Sequence, residues 1–93
     1  MNYKEQFLKD LEYVYSEVGE VALWNGREIL ISKVNDYDFE TTVGDLYSVL
    51  VKDIDGLEEG QTITIDGENF EIHNFRFKDE MKLEYLIGVI NNG

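Results

Sequence analysis

The sequence offers few side chains with which to do chemistry. Its one histidine is His73, and it has no cysteine. That excludes a His–Cys nucleophile pair, a thiolate metal site and a multi-histidine metal site. A Ser-His-Asp relay would have to join His73 to Ser16, Ser32 or Ser48, none of which stands in a G-x-S-x-G elbow. His73 is out of phase with Phe70 and Ile72, so it is expected to be exposed on a strand. No phosphate-cradling or dinucleotide-binding glycine loop is present.

Carboxylates are the abundant functional group, with 20 acidic side chains against 8 basic and a formal charge of −12. Asp36, Asp38 and Glu40 fall at the first, third and fifth places of an EF-hand loop. Thr41 then replaces its glycine, and Tyr47 replaces its bidentate glutamate. Asp53 and Asp55 begin a second such pattern, which Leu57 breaks. These acids are therefore expected as solvated loop charges, with no metal, cofactor or catalytic site. Such a surface repels phosphate, so specific nucleic-acid binding and anionic membranes are disfavoured.

The distribution of charge is informative too. Residues 35–60 hold eight acidic side chains and one lysine, a net −7, and contain both long loops. The expectation is one shared acidic surface. It would be either a docking patch for a basic partner or a face past which another polyanion slides. Tyr37 and Phe39, aromatic among charges, are candidate anchors in a partner's pocket.

The elements that must position these residues are legible from periodicity. Tyr3, Phe7, Leu11, Val14 and Val18, flanked by Leu8 and Tyr15, recur at helical spacing. Asn2 and Glu5 suit a capping box, and Gly19 suits the left-handed residue that ends a helix. From Glu20 the period changes to two. Strands are predicted over Glu20–Asn25 and Arg27–Val34 around the Asn25-Gly26 turn, and over Leu46–Lys52 with Tyr47, Val49 and Val51 on one face. Further strands are predicted over Gln61–Asp66 and Glu68–Phe77 around Asp66-Gly67, and over Leu83–Ile90. Phe70 and Ile72 share one parity whereas Phe75 and Phe77 share the other, which predicts a β-bulge between them. Residues 35–45 and 53–60 are predicted loops, the first of them mobile in the free protein. One domain is expected over 1–93: a helix over 1–19, then a curled antiparallel sheet or barrel of about six strands over 20–90, with the helix packed against it. No apolar run approaches the ~20 residues of a membrane span, and the N-terminus lacks a signal-peptide core, so a cytoplasmic location is the default.

The run LEEGQTITIDGENFEIHNFRF at 57–77 resembles a signature stretch of the lambda-type bacteriophage head–tail joining (head-completion) proteins. Gly60, Thr62, Ile63, Thr64, Ile65, Gly67, Glu68, Asn69 and Phe70 match the family's strand–turn–strand pattern. The close matches cover about a quarter of the chain, and the order of helix, hairpin, loop and strands fits nearly all of it. The loop at 35–45 is shorter than the family's. The resemblance implies a non-enzymatic structural protein of the virion neck, made in the host cytoplasm, with no cofactor. Its partners would be the portal or connector and a tail-completion protein. It would be a monomer when free and a sixfold ring on assembly. In that setting Asp36, Tyr37, Asp38, Phe39 and Glu40 form a partner-docking loop, and Asp53, Asp55, Glu58 and Glu59 face the DNA channel. Another neck or tail-completion adaptor, or an acidic cellular protein-binding module, is the alternative.

Overall fold

The computed structural model describes residues 3–34 and 45–91. These form one helix, α1 (Tyr3–Val18), and six strands: β1 (Glu20–Trp24), β2 (Arg27–Lys33), β3 (Asp45–Leu50), β4 (Thr62–Ile65), β5 (Glu68–Phe77) and β6 (Glu84–Asn91). A short 3-10 turn covers Val51–Asp53. All strand pairings are antiparallel, in the order β1-β2-β3-β6-β5-β4, and β1 pairs back onto β4 to close a barrel. Closure removes the free sheet edges on which another chain could add.

Two tight turns set the register. Asn25 and Gly26 have φ of 52° and 77°, and Asp66 and Gly67 have 54° and 79°. Paired positive φ values match the twist of the flanking strands, which is why Asn-Gly and Asp-Gly stand there. Inward positions then fall in step. Ala22, Trp24, Ile29, Ile31, Tyr47, Val49, Ile63, Ile65, Phe70, Ile72, Ile87 and Val89 fill the interior, with Ile54 and Leu57 of the loop after β3 joining them. The predicted bulge lies between Ile72 and Asn74, where β5 slips against Val89 and Gly88 of β6. His73 is the extra residue. The slip lets Phe75 and Phe77 face the same side as their partners Ile87 and Tyr85; Phe75 and Tyr85 pack against the core, while Phe77 stays exposed beyond the bend.

Several boundaries and roles differ from the sequence expectation. The third strand ends at Leu50, and Val51 belongs to the 3-10 turn, so Val51 does not extend the inner face. Asp45, predicted to end the loop, instead opens β3. Gly19 is absent from the left-handed region. It closes the last helical turn through its N–H to the Tyr15 carbonyl at 2.9 Å. A Cβ there would meet the Tyr15 carbonyl oxygen at 2.5 Å and the Ile31 carbonyl oxygen at 3.0 Å. Glycine is needed for close approach, not for φ.

The helix is also rotated from the predicted stripe. Tyr3, Phe7, Val14 and Val18 are exposed, Tyr3 at 93%, while Tyr15 alone is fully buried and Leu8 and Leu11 are half-buried. The barrel-facing arc is thus Leu8–Leu11–Tyr15, because the wall beneath offers a hydrogen-bonding site for a phenol as well as apolar contact.

Candidate functional site

The strand order fixes where each candidate residue lies. β3 runs from Asp45 to Leu50, roughly 17 Å at strand rise. The segment 35–44 joins it at the first end, and the 53–60 loop leaves from the second. The two acidic segments therefore attach at opposite rims of the barrel. Asp36, Tyr37, Asp38, Phe39 and Glu40 lie outside the described residues.

The rim around Asp45 gathers carboxylates from three elements. Glu20 opens β1, Asp45 opens β3 and Asp66 sits in the β4–β5 turn. Tyr47 lies beside them with its ring buried. Burial, then the negative charges of Glu20, Asp45 and Asp66, push its phenol above the ordinary tyrosine value. Lys33 reaches Asp45 at 3.9 Å.

The opposite rim is mixed. Asp55, Glu58 and Glu59 are exposed on the loop after β3, and Asp53 is half-buried. Ile54 and Leu57, between these acids, point into the core and anchor the loop. Arg27 donates to the Asp53 carbonyl at 2.7 Å, and Lys52 lies 3.2 Å from the Asp53 carboxylate. Beside this loop the β5–β6 hairpin carries Arg76, Lys78 and Lys82, three of the eight basic residues. Phe77 stacks on Tyr85 with centroids 4.9 Å apart and rings 17° from parallel. Lys82 Nζ sits 5.5 Å from the Phe77 centroid.

Sequence reasoning missed a buried polar relay beneath α1. The Tyr15 hydroxyl lies 2.7 Å from Ser48 Oγ and 2.7 Å from Glu84 Oε1. A phenol has one proton, which goes to the stronger acceptor, the carboxylate. The Ser48 hydroxyl then donates to the phenol oxygen, since its other acceptor, the Ser32 carbonyl, is 3.5 Å away. Glu84, 5% exposed, is completed by Lys78 at 3.6 Å. Burial pushes the Tyr15 phenol well above its ordinary value. The bond to Glu84 and the charges of Glu84 and Asp53 act in the same direction, against the opposing bond from Ser48. One signal was present in the sequence. β3 and β6 are nearly continuous apolar runs, as strands buried on both faces are, so the polar Ser48 and Glu84 on their outward parity needed a covering partner.

His73 is exposed at the bulge, two strands from Ser48. Ser48 is committed to Tyr15, and Ser16 donates to the Tyr13 carbonyl at 2.6 Å. Among the described residues no three His, Asp or Glu side chains are grouped to hold a metal ion. A shallow groove of about 260 Å³, lined by Val21, Glu28, Ile29, Leu30 and Asp53, presents carboxylates without a nucleophile. No helix among the described residues is long and apolar enough to cross a membrane.

No protein-family model matches the chain, and no curated protein sequence is significantly similar to it.

Proposed function

We propose that this chain is a non-enzymatic structural subunit of a tailed bacteriophage neck, joining the filled head to the tail. Several copies would form a ring beneath the portal and present a landing surface to a tail-completion protein. The observation that carries the proposal is a closed antiparallel barrel with a single outer helix, strongly acidic, whose loop carboxylates stand at both rims. A barrel held by its own ladder is a rigid building block. Its acids give no counterion-release affinity for a duplex, so DNA slides past without being held. The resemblance over 57–77 is what directs this reading to a phage particle. On the structure that stretch comprises the anchored acidic loop, β4 and β5.

In this setting Asp55, Glu58 and Glu59, with Asp53 behind them, face the channel. The segment 36–40 contacts a neighbour. Binding to purified filled, tail-less heads tests the proposal. The expected result is saturable binding at a small fixed copy number per head, six for a sixfold ring, and no binding to empty proheads or to free duplex DNA. Binding to DNA alone that weakens steeply with salt would refute it.

A further inference from the structure

The run Tyr3, Phe7, Leu11, Val14, Val18 has the spacing of a docking face, yet the barrel takes only its edge. Leu11 is half-buried, whereas Phe7, Val14 and Val18 are 41%, 48% and 67% exposed and Tyr3 is almost wholly so. Five of the eight large apolar residues left exposed among the described residues stand on α1, Tyr13 being the fifth. Single exposed apolar side chains are ordinary, but a contiguous row points to a partner. Steps of three and four residues keep this row on one side of the helix. It cannot roll inward. Tyr15 is tied at 2.7 Å to both Ser48 and Glu84, and Gly19 seats the end of the helix close to Ile31 of β2.

The charges around the row say what would cover it. At 3.6 residues per turn, Asp10 and Glu17 border it on the solvent side. Glu20 follows its C-terminal end, and Lys4 adjoins its first turn. Glu5, Lys9 and Glu12 lie on the far face, with Glu12 3.9 Å from Lys52. Gln6 donates to Asp10 at 3.3 Å, which leaves the carboxylate charged. The ion pairs of Lys33, Lys52 and Lys78 involve neither Asp10 nor Glu17. Three carboxylates against one ammonium therefore flank the row. In heptad terms Leu11 and Val18 alternate with Phe7 and Val14 as the seam. Asp10 and Glu17, seven residues apart, hold the flanking position that selects a partner's charge.

We propose that this face of α1 receives an amphipathic helix of another protein. The partner's apolar side lies on Phe7, Leu11, Val14 and Val18, and its lysines or arginines meet Asp10 and Glu17. α1 has 16 residues, roughly 24 Å at helical rise, enough for about two heptads of contact. A second copy of this chain fits poorly. An antiparallel pair would set Asp10 and Glu17 against the same acids of its mate, and a parallel pair needs the Leu8–Tyr15 edge that the barrel occupies. The inference needs only the docked helix, so it stands or falls apart from the neck reading.

NMR titration of the isotope-labelled full chain with a synthetic probe helix at about 0.15 M salt tests this. The probe has about three heptads, with leucine at the seam and lysine at the flanking positions. Saturable shifts are expected at Phe7, Leu11, Val14 and Val18. A peptide with glutamate in place of lysine should bind several-fold more weakly, and a scrambled lysine peptide should leave these residues unmoved. Phe7→Ser combined with Val14→Ser should weaken binding about tenfold or more. Its melting temperature should change little, since both side chains are exposed. Asp10→Lys combined with Glu17→Lys should pass the preference to the glutamate peptide. Equal shifts from the scrambled peptide, or a preference unmoved by the charge reversal, would reduce the effect to attraction by net charge and overturn the proposal. Shifts of the same residues on concentrating the protein alone would assign the face to a second copy. Shifts with phosphatidylcholine vesicles would assign it to lipid. Either result overturns the proposal, as does an absence of binding by the lysine probe.

Discussion

The interior of the barrel and the layer beneath α1 are built on opposite principles. Inside, Ile31, Val49, Ile63, Ile72, Ile87 and Val89 are wholly buried, and the ladder closes on itself. Outside, one helix lies nearest β2 with Leu8 and Leu11 half-buried, and a single phenol, that of Tyr15, ties it to Ser48 of β3 and Glu84 of β6. The first arrangement loses stability with any removed methyl group. The second depends on hydrogen bonds whose partners become costly once one is missing. The barrel is thus a self-sufficient body, and the helix is an attachment with a specific fastening.

That contrast can be broken at either side. The largest effect is expected in the interior. Ile72→Ala or Ile87→Ala should destabilise the whole protein by about 2–5 kcal/mol, seen as a lowered denaturant midpoint with helix and strands melting together. Tyr15→Phe keeps the ring but leaves Ser48 and Glu84 short of a partner, for about 1–3 kcal/mol. Hydrogen exchange should quicken first along residues 3–18 while the strand amides keep their protection. Equal acceleration in both regions would show that the two layers are one cooperative unit.

The same fastening has a pH signature. The folded phenols of Tyr15 and Tyr47 titrate above the ordinary value of 10.0. Above pH 10 the unfolded chain therefore releases protons that the native state retains. Stability is complete below that pH and falls as pH rises toward the folded values. Tyr15→Phe should make the decline shallower, as measured by urea midpoints between pH 9 and 11. Lys82→Gly should stabilise the hairpin by ~1 kcal/mol or less, because relief at φ 59° is partly offset by the freedom of glycine in the unfolded chain. Smallest of all, Lys33→Ala should change stability by less than about 1 kcal/mol, since its 3.9 Å pair with Asp45 is solvent-exposed.

The barrel was legible where local rules act. Asn25-Gly26 and Asp66-Gly67 fixed two hairpins, and the parity switch placed a bulge between Ile72 and Phe75, where the register shifts between Ile72 and Asn74. The helix was legible as a helix but not in its rotation. Its apolar positions cover two faces, and only the wall's need for a hydroxyl partner selects Tyr15 over Phe7 and Val14. The relay joins residues 33 and 69 positions apart in sequence, a separation no periodicity reports. The acidic segments were recognisable by composition. The place of the 53–60 acids at the far end of β3 follows only from the direction of that strand.

The proposal is that this acidic barrel joins heads to tails by shape and repulsion. Filled, tail-less heads and free tails of the cognate particle, mixed with and without the purified protein and counted by electron microscopy, test it most directly. Joined particles should rise from background in proportion to added protein until the heads are saturated. An unchanged count at saturating protein would contradict the claim.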